Sequence, residues 1–313
     1  MSNSVLTPAD LQRVESLQIV VKEETPFLPK VAFTLITLAS LAGAIFTGLG
    51  FGLEPLALGL RWFALWALAL AGGFATWRLF YLREAERDLD DEIVGQLNST
   101  ALKRARRVSV VVGALVILSA FGTLSVGYLD YVPAARWLIL AGTLALGIVL
   151  LAGVQHRGLT TLAFTLTAAL ILGWALFDAG TGWEGAVRLA HLSLWLGGAL
   201  WNIAVAMPAG REHPTVTAVL AGARQLDRFR WVVRFSLPTI IITGLIMAGF
   251  YTVMPLEWWL SFPGVLLPLK VMAIVVLVVV FITCPLFRQC SPVQGVCNID
   301  DLDSTSRNSA PRT

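Results

Sequence analysis

The chain has 313 residues, of which 57% are hydrophobic and 14% charged, with a formal net charge of +3. Soluble domains carry roughly 25% charged residues, so this composition excludes an ordinary globular fold, and so small a net charge gives no footprint for nucleic acid. The chain reads as an all-α, polytopic membrane protein whose first partner is the lipid bilayer.

Residues 1–30 form a mixed-charge segment ahead of the first apolar run, too long and too charged for a cleaved leader, so no secretory processing is expected. Within it, Thr7-Pro8-Ala9-Asp10 has the residues of a helix start, and Leu11, Val14 and Leu17 follow at helical spacing. An amphipathic surface helix and a loosely ordered tail are both open there.

A spanning helix needs about 20 apolar residues. Such runs lie near 31–52, 57–80, 108–128, 136–155, 159–178, 186–207, 231–253 and 265–287, so about eight spans are expected. The first five make an N-terminal membrane region over 31–180, and the others a second region over 186–287. The loops near 53–56, 129–135, 179–185 and 254–264 hold no Lys or Arg, whereas the alternate segments are rich in them. The positive-inside rule then puts both termini in the cytoplasm of a bacterial-type inner membrane. Trp183, Trp258 and Trp259 fall at the outer interface, where an aromatic belt is expected.

The segment 82–107 is the most charged part, with acidic residues from Glu84 to Glu92 ahead of Lys103, Arg104, Arg106 and Arg107. It is a solvated face or a docking surface for a membrane or soluble partner. The polar tail 288–313 is rich in Ser, Asp, Asn and Pro. No internal repeat is legible in the residues, and no phosphate-loop, zincin, hydrolase or dinucleotide-binding motif occurs.

Ionisable groups inside a bilayer are expensive and mark function by default. His191 and Lys270 both lie about 7–8 Å in from the expected outer surface, at 1.5 Å per residue. From His191, the helical face continues through Trp195, Gly198 and Asn202. Arg188 is one turn outward, and Asp178 ends the preceding span at the same surface. These groups are expected to form one polar cluster, with Lys270 paired to Asp178 or neutral through burial. The competing reading is a histidine bonded between helices and a lysine that snorkels.

The metal arithmetic is short. The other two of the three histidines, His156 and His213, are in expected inner loops, so a bis-histidine haem within one chain is disfavoured. Haem b with His191 and one other ligand stays open, as does a copper ion, since Cu(I) accepts imidazole and thioether. Met254 and Met272 are the candidate soft ligands, against a plain packing role. Cys284, Cys290 and Cys297 sit in a reducing compartment at spacings that match no zinc or iron–sulfur pattern. Pro238, before Thr243-Gly244, is a hinge or a static kink.

Three short motifs in order, His191-x-x-x-Trp195-Leu-Gly-Gly198, Arg234-Phe-Ser236 with Thr243-Gly244-Leu245, and Leu269-Lys270, resemble the CopD (copper resistance D) family over roughly residues 186–287. A more distant likeness is to HemJ-type membrane proteins, which also pair a histidine near a W-x-G motif with a lysine on a later helix. The resemblance implies a four-helix unit that handles copper or haem, with His191 as ligand and Lys270 as its companion. Copper transport or handling is therefore the first expectation. A haem- or quinone-associated subunit of a respiratory complex is the second, and a non-catalytic membrane assembly protein the third.

Overall fold

The computed structural model describes residues 27–269 except 51, 85, 87, 88, 126–132, 179–181, 214, 250 and 263, and beyond them 271, 272, 275 and 279. The expected helix near residues 8–17, Lys270, the three cysteines, the tail from 288 and most of the last expected span lie outside the described residues. Among the described residues there is no strand, as the all-α reading requires.

The helices are α1 (Phe27–Gly50), α2 (Pro55–Thr76), α3 (Asp91–Ser125), α4 (Pro133–Ala152), α5 (Arg157–Phe177), α6 (Gly182–Trp201), α7 (Met207–Glu212), α8 (Val216–Gly249) and the short α9 (Leu256–Leu260). α2 begins on a proline, whose missing N–H is harmless in a first turn. Four stretches are long and apolar enough to cross a membrane: Pro55–Tyr81, Ala134–Ala152, Arg157–Phe177 and Gly182–Glu212. This is a helical protein of membrane-spanning character.

Two helices differ from expectation in the same way. α3 starts at residue 91 rather than near 108, and α8 at 216 rather than near 231. Both continue a span as a charged helical extension. A side-chain oxygen caps each start: Asp90 Oδ1 accepts from the Glu92 and Ile93 amides at 2.8 and 3.4 Å, and Thr215 Oγ1 from the Ala218 amide at 3.2 Å.

The parallel goes further. α2 widens into a π turn at Trp77–Tyr81, and α6 does so at Asn202–Ala206, 125 residues on; α3 and α8 start at Asp91 and Val216, again 125 residues apart. The same shift carries Gly72-Gly73 onto Gly197-Gly198. The chain thus repeats its layout, although the residues alone show no repeat.

α2 and α6 meet along the middle of the molecule, and the glycine pairs set how closely. A Cβ on Gly73 would stand 1.9 Å from the Ser193 carbonyl oxygen, and one on Gly197 2.3 Å from Gly73 Cα. Small residues let helix backbones touch in this way. Ser193 Oγ donates to the Ala69 carbonyl at 2.8 Å, and Trp77 Nε1 to the Leu194 carbonyl at 3.2 Å. Phe74, Trp77 and Trp201 are fully buried beside this seam, and Phe74 packs on Trp201 at 5.3 Å.

At one end of the bundle, ion pairs cross the seam in opposite directions. Glu86, ahead of α3, pairs with Arg228 and Arg224 of α8, and Glu212, ahead of α8, pairs with Arg104 of α3. Arg228 also donates to the Tyr81 carbonyl at 2.7 Å. Glu86 is thus turned inward and Arg104 is half-buried, while Arg83, Glu84, Asp90, Asp91, Glu92, Lys103, Arg106 and Arg107 stay exposed.

Candidate functional site

α6 packs against α8, and this groove gathers the polar groups of the second half. His191 is half-buried, and its Nδ1 lies 3.2 Å from Ser236 Oγ on α8. Ser236 is itself 1% exposed, so the hydroxyl is held in place. The contact fixes the imidazole ring and leaves Nε2 with no hydrogen-bond partner among the described residues. A hydrogen bond on one ring nitrogen is what orients a histidine whose other nitrogen binds a ligand.

Arg188 runs along the same groove. Its guanidinium lies 3.8–3.9 Å from where a Cβ on Gly244 would be, an ordinary contact distance, so Arg188 lies beside Gly244 on α8. Arg188 is half-buried and makes no hydrogen bond or ion pair with the described residues. α6 and α8 run antiparallel here: the deeper His191 meets Ser236, and Arg188 meets Gly244 two turns further along α8. Thr243, 7% exposed, donates back to the Thr239 carbonyl at 2.7 Å.

The other expected members of the cluster part from it. Asp178, the residue after α5, pairs with Arg61 of α2, which sits at the same end of the bundle. Asn202 is buried at the start of the second π turn, where its amide donates to the Gly198 carbonyl of its own helix at 2.9 Å. Gly198 faces Trp77 and Phe229, so the stripe from His191 to Asn202 serves two neighbours rather than one cavity. Trp195 is half-buried. Met254 lies in the turn after α8, partly exposed, and Met272 is 58% exposed. Lys270 falls outside the described residues. His156 precedes α5 as its N-cap residue, and His213 Nε2 lies 2.9 Å from Thr100 Oγ1, so neither joins His191.

Among the described residues no group of three or more His, Cys, Asp or Glu could hold a metal ion. One imidazole with a free nitrogen therefore supplies a single ligand, and any metal held here takes its other ligands from thioethers, from the ligand itself or from residues beyond those described. Sequence reasoning did not foresee Arg61 as the partner of Asp178, 117 residues away, nor a role for Ser236. Ser236 was visible as the serine of Arg234-Phe-Ser236, but nothing in one sequence aligns it with His191.

No protein-family model matches the chain, and no curated protein and no solved structure matches it.

Proposed function

We propose that the chain is an integral protein of the cytoplasmic membrane, with eight spans and both termini inside, that handles copper through His191 in the outer half of the α6–α8 groove. The observation that carries this reading is the Ser236 contact, which presents a fixed imidazole with Nε2 free at a depth where an unused imidazole is costly. The likeness of residues 186–287 to the CopD family supports it. Met254 and Met272 are the soft ligands of this reading, with Lys270 as the companion of His191. The exposed charges of 91–107 are the surface it offers to a membrane or soluble partner.

A second reading, a haem- or quinone-associated membrane subunit, draws on the seam. Backbone contact at Gly73 and Gly197 fills the middle of the interface between the halves, and a static bundle suits a bound cofactor better than a rocking carrier. Haem b would then use His191 as an axial ligand.

Metal analysis and an absorption spectrum of detergent-purified protein test the proposal. Copper without a Soret band, lost in His191→Ala and kept in Cys290→Ser, is the expected result. A Soret band lost in His191→Ala selects the haem reading. Copper kept in His191→Ala and lost in Cys284→Ser or Cys290→Ser refutes the site, and neither metal in the wild type points to an assembly role.

A further inference from the structure

The fold does not require a cation or an imidazole in the α6–α8 groove, as the repeated layout shows. The 125-residue shift that aligns the two π turns and the two long helices places Phe63 at the position of Arg188, Trp66 at that of His191 and Val111 at that of Ser236. On α2 the matching positions are thus aromatic, whereas on α3 Val111 is 60% exposed where Ser236 is 1% exposed, so the two helix pairs share a layout but not the face they bury. Arg188 is therefore a charge that packing alone did not call for.

Its setting says what it is for. A guanidinium in a membrane-spanning helix needs a counter-charge or water. Asp178, the acid expected nearby, is engaged by Arg61, and no carboxylate among the described residues meets Arg188. Beside a bare metal cation, an uncompensated Arg188 would be repulsive; beside an anion, it is complementary. From Ser236 to Gly244 the groove runs about 12 Å along α8, at 1.5 Å per residue. Beside the buried face of Ser236 and Thr243, α8 turns Phe235, Ile242 and Leu245 outward, so apolar surface borders the groove.

We propose that Arg188, beside Gly244, binds the oxyanion of a lipophilic ligand, a carboxylate or phosphate on an apolar body, while the rest of that ligand lies along the α6–α8 groove toward His191. Guanidinium is suited to this because its donors match two oxygens of either group at once. Such a ligand enters from the lipid side and brings its own negative charge. The proposal deepens the reading of the same groove but does not depend on a metal.

The test uses probes without metal, in full-length purified protein. Metal-free protoporphyrin IX, which has free carboxylates, is compared with its dimethyl ester by porphyrin fluorescence anisotropy. Phosphatidylglycerol is compared with uncharged diacylglycerol by the thermal shift each produces. Wild type is expected to favour the acidic member of one pair by about tenfold or more, the factor a single charge-assisted hydrogen bond supplies. The porphyrin pair reports a carboxylate ligand and the lipid pair a headgroup phosphate.

Arg188→Gln is expected to erase the preference, as is Gly244→Leu, which keeps the charge and fills its space. Equal binding of both members in both pairs overturns the proposal. So does a preference that survives Arg188→Gln or, should that variant not fold, Gly244→Leu. Because the probes carry no metal, failure here leaves His191 as a metal ligand intact, and loss of that ligand role leaves this test standing.

Discussion

Midway along α2, Trp62 stacks on Trp66 at 5.6 Å, with Phe33 and Phe63 within 6.5 Å of Trp66. At the matching place on α6 stands His191, bonded to Ser236, with Arg188 a turn away. The two halves share helix lengths, π turns, glycine pairs and capped extensions, yet at matching places α2 carries rings packed on one another and on α1, whereas α6 carries groups that titrate or carry charge and that meet α8. Where a layout is used twice, the residues common to both uses are those the fold needs. Residues found in only one use are candidates for the work the protein does. By that criterion Gly73 and Gly197 are structural, and Arg188, His191 and Ser236 are the candidates for function.

The largest expected effect is at the shared seam. Gly73→Val and Gly197→Val place side-chain atoms on opposing backbone, which cannot yield as a flexible side chain would. Each should remove about 3 kcal/mol or more of stability, seen as loss of monodisperse protein in size-exclusion chromatography. Gly59→Val, where nothing lies within 4 Å, should elute as wild type. If Gly197→Val purified and melted like wild type, the seam would not be what joins the halves.

Next come the unshared positions. His191→Ala should lower bound metal at least tenfold with little change in melting temperature. Trp66→Ala should do the reverse, losing about 2–3 kcal/mol as a large, partly buried ring is removed while keeping its metal. Metal content and thermal unfolding, measured on both variants, either separate the halves or merge them.

The crossing ion pairs give a smaller, graded effect. The Glu86 side chain is 8% exposed and answers two arginines, whereas that of Glu212 is 48% exposed and answers one. Glu86→Gln should cost about 2–3 kcal/mol, since it leaves Arg228 partly buried beside an uncharged group. Glu212→Gln should cost under about 1 kcal/mol and fade further in high salt. Equal losses in chemical denaturation would show that the two pairs are not graded by burial.

The two helix caps test the repeat most directly. Asp90→Ala and Thr215→Ala each remove one helix cap, so each should lower stability by about 1 kcal/mol. Thermal melts that separate the two by more than a few degrees would mean that the two long helices are not held alike.

Much of this was legible in the residues, because apolar runs of spanning length are a strong signal. The expected span at 57–80 became Pro55–Tyr81, and that at 159–178 became Arg157–Phe177. The starts of α3 and α8 were missed because hydropathy marks where a helix leaves the membrane, not where it ends; the caps at Asp90 and Thr215 carry that information. The π turns and the repeat were hidden for a different reason. They are conserved as positions of backbone, and apart from the glycine pairs the matched residues are mostly unlike. In the candidate site, His191, Arg188 and Asp178 could each be singled out as a polar residue in apolar surroundings. Their partners could not, since Arg61 and Ser236 come from helices whose rotation one sequence does not specify.

Arg78 has a consequence for the order in which the protein is made. Its side chain, 4% exposed as a residue within the first π turn, donates to the carbonyls of Val154 and Gln155, in the turn that links α4 to α5. Those acceptors leave the ribosome 76 and 77 residues after Arg78 does. Until then this contact cannot form, so the first π turn is tied to the α4–α5 turn only after all of α4 has been synthesised.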